Sequence, residues 1–457
     1  MKVSRNVGQS CRQSPAKPSA THRPSRAALR VSAIAAPFPG QSRSQDGAPP
    51  PVDDDTMQCP IFITKEGKAV KALCADYGFR SGSGRLYQED YGEVPKSAGE
   101  LAYSNFEKEL EQMRRAFRGH DMEAPLPAGF LPATNRAIAN VFVGLFAAID
   151  VFLEDKKVLP VLKKEAVQGR LQTEEFKAVK AKLDRLILPT SAVVAYEEER
   201  VARDGELDTP VWVKLPFLLL CWVLDVVYDN KPVQKFWVLE VVARIPYFSF
   251  ISILHLYESI GFWRAGAELR RIHFAEEWNE MHHLQIMESL GGDQLWFDRF
   301  LAEHAAILYY WVIIGFYLVN PKLAYNFMQR VELHAADTYA VFLEQNKDLL
   351  KSMAPPAVAL NYYLGQDLYL FDEFQTGHTG PPRRPQCNTL HDTFANIYQD
   401  EMEHVKTMSS CQVDTIAKSL AKTSSMSSIQ LSSRDEDSLL ANYDEPIATA
   451  PLVINQD

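Results

Sequence analysis

The first 45 residues contain no aspartate or glutamate. Lys2, Arg5, Arg12, Lys17, Arg23, Arg26, Arg30 and Arg43 stand there among many Ser and Ala, with no apolar core of the kind a secretory signal needs. That composition predicts an organelle transit peptide over residues 1–36, with Val31-Ser32-Ala33 and Ile34-Ala35-Ala36 as the cleavage neighbourhood. Cysteine is sparse: Cys11, Cys59, Cys74, Cys221, Cys387 and Cys411 are scattered, and no Cys-x-x-Cys pair occurs. A zinc ribbon or a dithiol redox motif is thereby excluded, and the thiols read as mostly free in a reducing compartment. A basic surplus is missing too. The net charge of −10 argues against a nucleic-acid surface.

Also absent is an unbroken run of about 20 apolar residues, the length a membrane-crossing helix needs. Two segments come near it. Val211 to Val227 is interrupted by Lys214, Pro216 and Asp225, and Ala305 to Val319 is uncharged but only 15 residues long. Both are predicted to lie in a membrane interface or in a core rather than to cross.

What is present is enough apolar material for a substantial core, at 46% of residues. Residues 37–205 read as a linker and an extension of unassigned role. Gly47 to Asp55 is linker-like, and amphipathic stretches cover Asn105 to Arg118 and Glu174 to Leu188. Residues 206–410 carry helical periodicity without competing strand alternation. Helices are predicted from Pro232 onward with a bend at Pro246, from Phe262 to Leu290 ending at Gly291-Gly292, from Leu295 to Val319, from Pro321 to Asn346, and from His391 to Met408. Residues 411–457 are Ser-rich and poor in aromatics, the composition of a disordered tail.

Glu-x-x-His occurs twice, as Glu280 to His283 and Glu401 to His404. With 11 histidines in 457 residues, chance alone accounts for roughly one such pair, so the repeat means little without its context. A spacing of three puts both side chains on one helix face, about 4.5 Å apart along the axis. On the last helix that face also carries Phe394, Ile397 and Met408, so the pair points among apolar neighbours. A carboxylate there is costly to desolvate unless it is paired, protonated or bound to metal. Glu240 lies in the apolar run Phe236 to Val242. Glu332 shares a face with Tyr325, Met328, Ala336 and Tyr339. Taken singly, either glutamate reads as a core ion-pair partner rather than a ligand. Together the four helices offer Glu, Glu-x-x-His, Glu, Glu-x-x-His, the ligand set of carboxylate-bridged di-iron bundles. The predicted fold is therefore all-α, a ferritin-like four-helix bundle with two further interfacial helices.

At these residues the chain resembles the alternative oxidase family. The matching stretches are Phe236 to Glu240, Ala243 to Phe248, His273 to His283, Gly291-Gly292 with Trp296 to Phe300, and Val331 to Ala335. Asp367 to Gln375 lies in a segment that the family's plastid branch has and its mitochondrial branch lacks. The resemblance covers about residues 211–412. It implies two irons held by Glu240, Glu280, His283, Glu332, Glu401 and His404. It implies that Asn279 and Asp400, each one residue before a ligand glutamate, hold the histidine rings, and that Tyr339 stands beside the irons for electron or proton transfer. Leu239, Tyr317, Ala335 and Thr338 would line a quinol channel opening at the membrane.

The expected activity is oxidation of plastoquinol, two per dioxygen, with release of water, serving chlororespiration and carotenoid desaturation. The expected protein is a homodimer seated on the thylakoid membrane surface in the chloroplast, with no nucleic-acid partner. A di-iron hydroxylase or desaturase of a lipid-like substrate and a ferritin-like iron-binding protein are the competing readings.

Overall fold

The computed structural model describes residues 61–63, 67–73, 97–119, 130–162, 174–261, 267–365, 368–375 and 383–413. The chain divides into two units, Met1–Val52 and Asp53–Asp457, and every described residue belongs to the second. The predicted transit peptide, the linker at 47–55 and the Ser-rich tail from 414 onward lie outside the described residues.

Four long helices form the centre: α6 (Pro232–Ile260), α7 (Ala267–Ser289), α9 (Pro321–Lys351) and α12 (Leu390–Ser410). Their starts follow local chemistry. Pro232 and Pro321 occupy first-turn positions, where the missing N–H has no partner to lose. The Asn320 side chain accepts from the Lys322 N–H at 3.0 Å. Thr389 and Asp392 close a reciprocal capping box at the head of α12. Pro246 sits inside α6 without ending it.

After α7 the chain turns on Gly291, whose φ of 88° suits glycine. The Gly292 N–H donates to Met287 O and the Gly291 N–H to Glu288 O, both at 2.9 Å, so the last carbonyls of α7 are satisfied. Gly292 has a second duty. A Cβ there would collide with Trp237 Cβ and come within 2.9 Å of Val233 O on α6.

The bundle core is aromatic. Phe236 stacks on Tyr339 at 4.2 Å between ring centroids, and Phe394 meets Phe342 at 4.7 Å. All four side chains are fully buried, each contributing about 1.5–3 kcal/mol by transfer from water. Around this core lie α5 (Val211–Tyr228) and α8 (Trp296–Val319), with α10 (Ala357–Leu364) and α11 (Leu368–Glu373) against α7.

Upstream are α1 (Ala98–Arg118), α2 (Phe130–Asp155), α3 (Glu174–Leu183) and α4 (Thr190–Asp204). Packing on the bundle begins well before residue 206. Phe176, Leu183, Leu188 and Val193 join the main hydrophobic cluster. Glu197 meets His334 at 2.5 Å and Arg200 meets Asp337 at 2.7 Å, tying α4 to α9. Packing also continues past 410, since Cys411 is buried and Gln412 hydrogen-bonds Asn326 and Gln329.

Two findings depart from the sequence reading. A small antiparallel hairpin, β1 (Ile61–Ile63) with β2 (Ala69–Lys71), pairs Phe62 with Val70; three-residue strands are too short to show alternation. Among the described residues four helical segments, rather than two near misses, are long and apolar enough to cross a membrane: Ala137–Asp155 within α2, α5, α6 and α8. Of these, α6 is 72% buried as an inner bundle helix, whereas the α2 segment is 6% buried. Both α5 and α8 expose apolar faces, with Trp212, Leu219 and Trp222 on one and Ile307, Leu308 and Trp311 on the other.

Candidate metal centre

Each of the four central helices delivers its acidic residue to one point. Glu240, Glu280, His283 and Glu401 form one cluster and Glu280, Glu332, Glu401 and His404 a second, with the donor atoms of each cluster within 4.8 Å of one another. Glu280 and Glu401 belong to both. All six side chains are at most 2% exposed. His283 Nδ1 lies 3.2 Å from Glu401 and 3.7 Å from Glu240. His404 Nδ1 lies 2.8 Å from Glu280 and 3.7 Å from Glu332. The structure thus brings together every residue of the predicted ligand set.

Two tyrosines close the ring by crossing it. Tyr339, seven residues after Glu332 on α9, donates its hydroxyl to Glu240 on α6. Tyr247, seven residues after Glu240 on α6, donates to Glu332 on α9. Two helical turns separate each tyrosine from the glutamate on its own helix, so both share that face. Tyr247 was not singled out from sequence, although the spacing that picks out Tyr339 applies to it equally.

Outside the ring the contacts are uneven. Asp400 Oδ2 lies 3.1 Å from His283 Nε2, which leaves Nδ1 facing the glutamates. Asp400 also accepts from Tyr363 at 2.8 Å, from Asn279 at 3.1 Å and from Arg383. Among the described residues Asn279 makes no hydrogen bond to a histidine. Its amide donates to Asp400 and to the Tyr362 hydroxyl at 2.6 Å, and His404 Nε2 has no hydrogen-bond partner among the described residues. The His404 ring is instead flanked by Tyr247 and Phe374, at 5.4 and 5.6 Å between centroids. Tyr363 and Arg383 were not anticipated, because nothing local in the sequence points at Asp400.

Electrostatically the site asks for cations. Burial, reinforced by the charge of Glu280, holds Glu240 well above the usual carboxylate range. Burial and the neighbouring Glu401 and Glu280 do the same to Glu332. For Glu280 burial acts in the same direction, but His283 and His404 outweigh it and hold the group below its ordinary value. Burial disfavours charge on both histidines, yet the facing carboxylates raise them well above the ordinary imidazole value: Asp400 and Glu280 act on His283, and Glu280 and Glu401 on His404. Asp400, despite its burial, is held low by Arg383 and His283.

Glu240 Oε2, both Glu280 oxygens, Glu332 Oε2, Glu401 Oε2 and the Nδ1 atoms of both histidines are buried without hydrogen-bond partners. Unpaired buried carboxylates are expensive. Two metal ions, each facing one cluster, would satisfy all of these atoms at once. An all-oxygen-and-nitrogen donor set suits iron better than a soft, thiolate-seeking metal. The residues present fit a di-metal centre.

The residues expected along a channel are less unified. Leu239 packs in the main hydrophobic cluster, whereas Tyr317 packs in a second one with Phe250 and Tyr325. Ala335 and Thr338 are buried on α9, and the Thr338 hydroxyl donates to His334 O at 2.7 Å. Tyr317 ends a buried polar chain: it meets Tyr325 at 3.2 Å, Tyr325 meets His273 at 3.1 Å, and His273 meets Glu276 at 2.9 Å.

Residues 216–412 match the protein family described as Alternative oxidase, and that span includes all six cluster residues. The domain belongs to the alternative oxidase family. This alternative-oxidase domain is 52% identical over 190 residues to ubiquinol oxidase 4, chloroplastic/chromoplastic, of Arabidopsis thaliana, covering 42% of this chain and 54% of that relative. Similarity to mitochondrial relatives is lower. Ubiquinol oxidase 2, mitochondrial, of Arabidopsis thaliana is 24% identical over 181 residues, 39% of this chain and 45% of the relative. Alternative oxidase 3, mitochondrial, of Glycine max is 26% identical over 181 residues, 39% and 49% respectively. The chain spans about half the length of these curated relatives. No solved structure matches it.

Proposed function

We propose that the chain is a plastid quinol oxidase, taking electrons from plastoquinol at a di-iron centre and reducing dioxygen to water. The observation that carries this reading is the sharing of Glu280 and Glu401 between two buried clusters that each hold a histidine. Two quinols supply the four electrons and four protons that one dioxygen needs to become two waters. When bound, iron supplies the redox chemistry toward dioxygen that amino-acid side chains lack.

The rest falls to the chain's own groups. Glu240, Glu280, His283, Glu332, Glu401 and His404 are the ligands, with Nδ1 of each histidine facing the centre. Asp400 fixes the His283 ring through Nε2, with Arg383 compensating its charge, and Asn279 steadies Asp400. The hydroxyls of Tyr339 and Tyr247 lie on glutamate oxygens, where they hold or hand on a proton. The surrounding aromatic core keeps bulk water from the centre. Leu239, Tyr317, Ala335 and Thr338 are assigned to the quinol's approach.

The exposed faces of α5 and α8 seat the domain on the membrane surface, which is where a lipid-soluble quinol must be met. The similarity to a chloroplastic/chromoplastic ubiquinol oxidase supports a plastid setting, and with it a thylakoid location and service to chlororespiration and carotenoid desaturation. The oligomer proposed is a homodimer.

The test is quinol-dependent oxygen uptake by membranes carrying the chain, read beside iron content and compared with Glu280→Ala. Wild type should consume oxygen, bind two irons and yield only quinone and water, and the variant should lose both activity and iron. Equal rates, or a hydroxylated or desaturated lipid product, would overturn the reading.

A further inference from the structure

The α2 helix has no role in the metal centre and lies outside residues 216–412, yet it carries the most apolar of the four long segments. Ile138, Val141, Leu145, Ile149 and Phe152 recur at helical spacing and are each 44–70% exposed. Residues 137–149 contain no charged group.

The first acids beyond that stretch are neutralised from α1. Arg114 binds Asp150 at 2.6 Å and Glu154 at 2.8 Å, and Arg118 reaches both carboxylates as well. The pair of helices α1 and α2 is in turn pinned to α8. Arg299 binds Glu109 through two nitrogens, at 2.9 and 3.0 Å. Phe117 of α1 stands between Phe146 of α2, at 5.4 Å, and Trp296 of α8, at 6.1 Å. Trp296 continues into the half-exposed rings of Phe297 and Phe300. One apolar surface therefore runs from α2 onto α8.

We propose that α1 and α2 form a second membrane-seated element beside α8, with α2 lying among the acyl chains of one leaflet. The inference rests on the reading that α5 and α8 face the membrane, and it extends that face to a part of the chain to which no function was attached. Lipid fits this helix for two reasons. Its wholly uncharged part, residues 137–149, spans about 20 Å, and the rest of the 19-residue segment carries the ion-paired Asp150 and Glu154, which suits a place within one leaflet rather than across a hydrocarbon core of about 30 Å. Lys156 and Lys157 follow its C-terminal end, exposed where headgroup phosphates would be.

The experiment mixes the full-length protein with phosphatidylcholine–phosphatidylglycerol vesicles containing a lipid with a photoactivatable acyl chain, and maps adducts by peptide mass spectrometry. Adducts are expected on residues 137–152 and on the exposed faces of α5 and α8. Adducts on α5 and α8 alone sink the proposal and leave the membrane reading standing. Adducts on none of the three sink both. Protection of 137–152 that grows with protein concentration in the absence of lipid assigns the face to a second copy and also overturns the proposal. As a second arm, the triple variant V141S/L145S/F152S should lower vesicle partitioning by about tenfold or more while quinol oxidation in detergent stays unchanged. Unaltered partitioning contradicts the proposal.

Discussion

The two halves of the candidate metal centre match on the inside and differ on the outside. Facing the centre, each half has one outer glutamate, one histidine Nδ1 and one tyrosine hydroxyl arriving from the opposite helix. Behind the histidines the match ends. His283 is oriented by a charged array of Asp400, Arg383, Tyr363 and Asn279. His404 is oriented by two aromatic walls. A repeated motif can place ligands symmetrically, because helix geometry is the same wherever it recurs. What stands behind a ligand depends on which residue of the intervening chain reaches it: after α11, Phe374 meets His404 whereas Arg383 meets Asp400.

The largest expected effect separates shared from unshared ligands. Glu401→Ala should abolish iron binding and oxygen uptake, since it damages both clusters. Glu332→Ala leaves Glu240, Glu280, His283 and Glu401 intact and should retain about one iron per chain; equal loss in the two variants, read as iron per chain, would show that the halves do not load separately. Next is Phe374→Ala, which removes a fully buried wall of His404 and should cost about 3–5 kcal/mol in denaturant unfolding. A cost below about 1 kcal/mol would remove the packing account of that histidine.

Asp400→Asn should weaken metal binding by about 10–100-fold and more than Asn279→Ala does, as measured by competition with a chelator; the reverse order would break the proposed difference between the two sides. The smallest effect is expected for the crossed tyrosines. Tyr247→Phe and Tyr339→Phe should each destabilise the protein by about 1–2 kcal/mol and by similar amounts. A clear inequality in their unfolding curves would show that the inner symmetry is geometric but not energetic.

Much of the inner ring was legible in the sequence because its rules are local. A spacing of three pairs Glu280 with His283 and Glu401 with His404, and apolar neighbours mark Glu240 and Glu332 as inward-facing. The i+7 relation that marks Tyr339 marks Tyr247 as well. The outer contacts were not legible. Arg383 meets Asp400 across 17 residues and Tyr363 across 37, and no periodicity encodes such a meeting. The position of Asn279, one residue before its glutamate like Asp400, suggested an equivalent role. Its amide turns instead toward an acceptor that exists only after α7 and α12 have packed. The α2 helix escaped notice because Asn140 and Asp150 interrupt its apolar run, and the Arg114 clamp that offsets Asp150 comes from 36 residues away. The joining of α4 to α9 through Glu197 and Arg200 is likewise a product of tertiary packing.

The contact between Gly292 and Trp237 reaches further than a turn ordinarily does. Trp237 lies three residues before Glu240, so the backbone of Gly292 acts as a stop against which α6 comes to rest, and the width of the candidate metal centre is gauged at that stop. Even one added methyl would wedge the two helices apart nearly a full turn away from the chemistry. Reactivity can then fail with every ligand still present, through separations wrong by a fraction of an ångström.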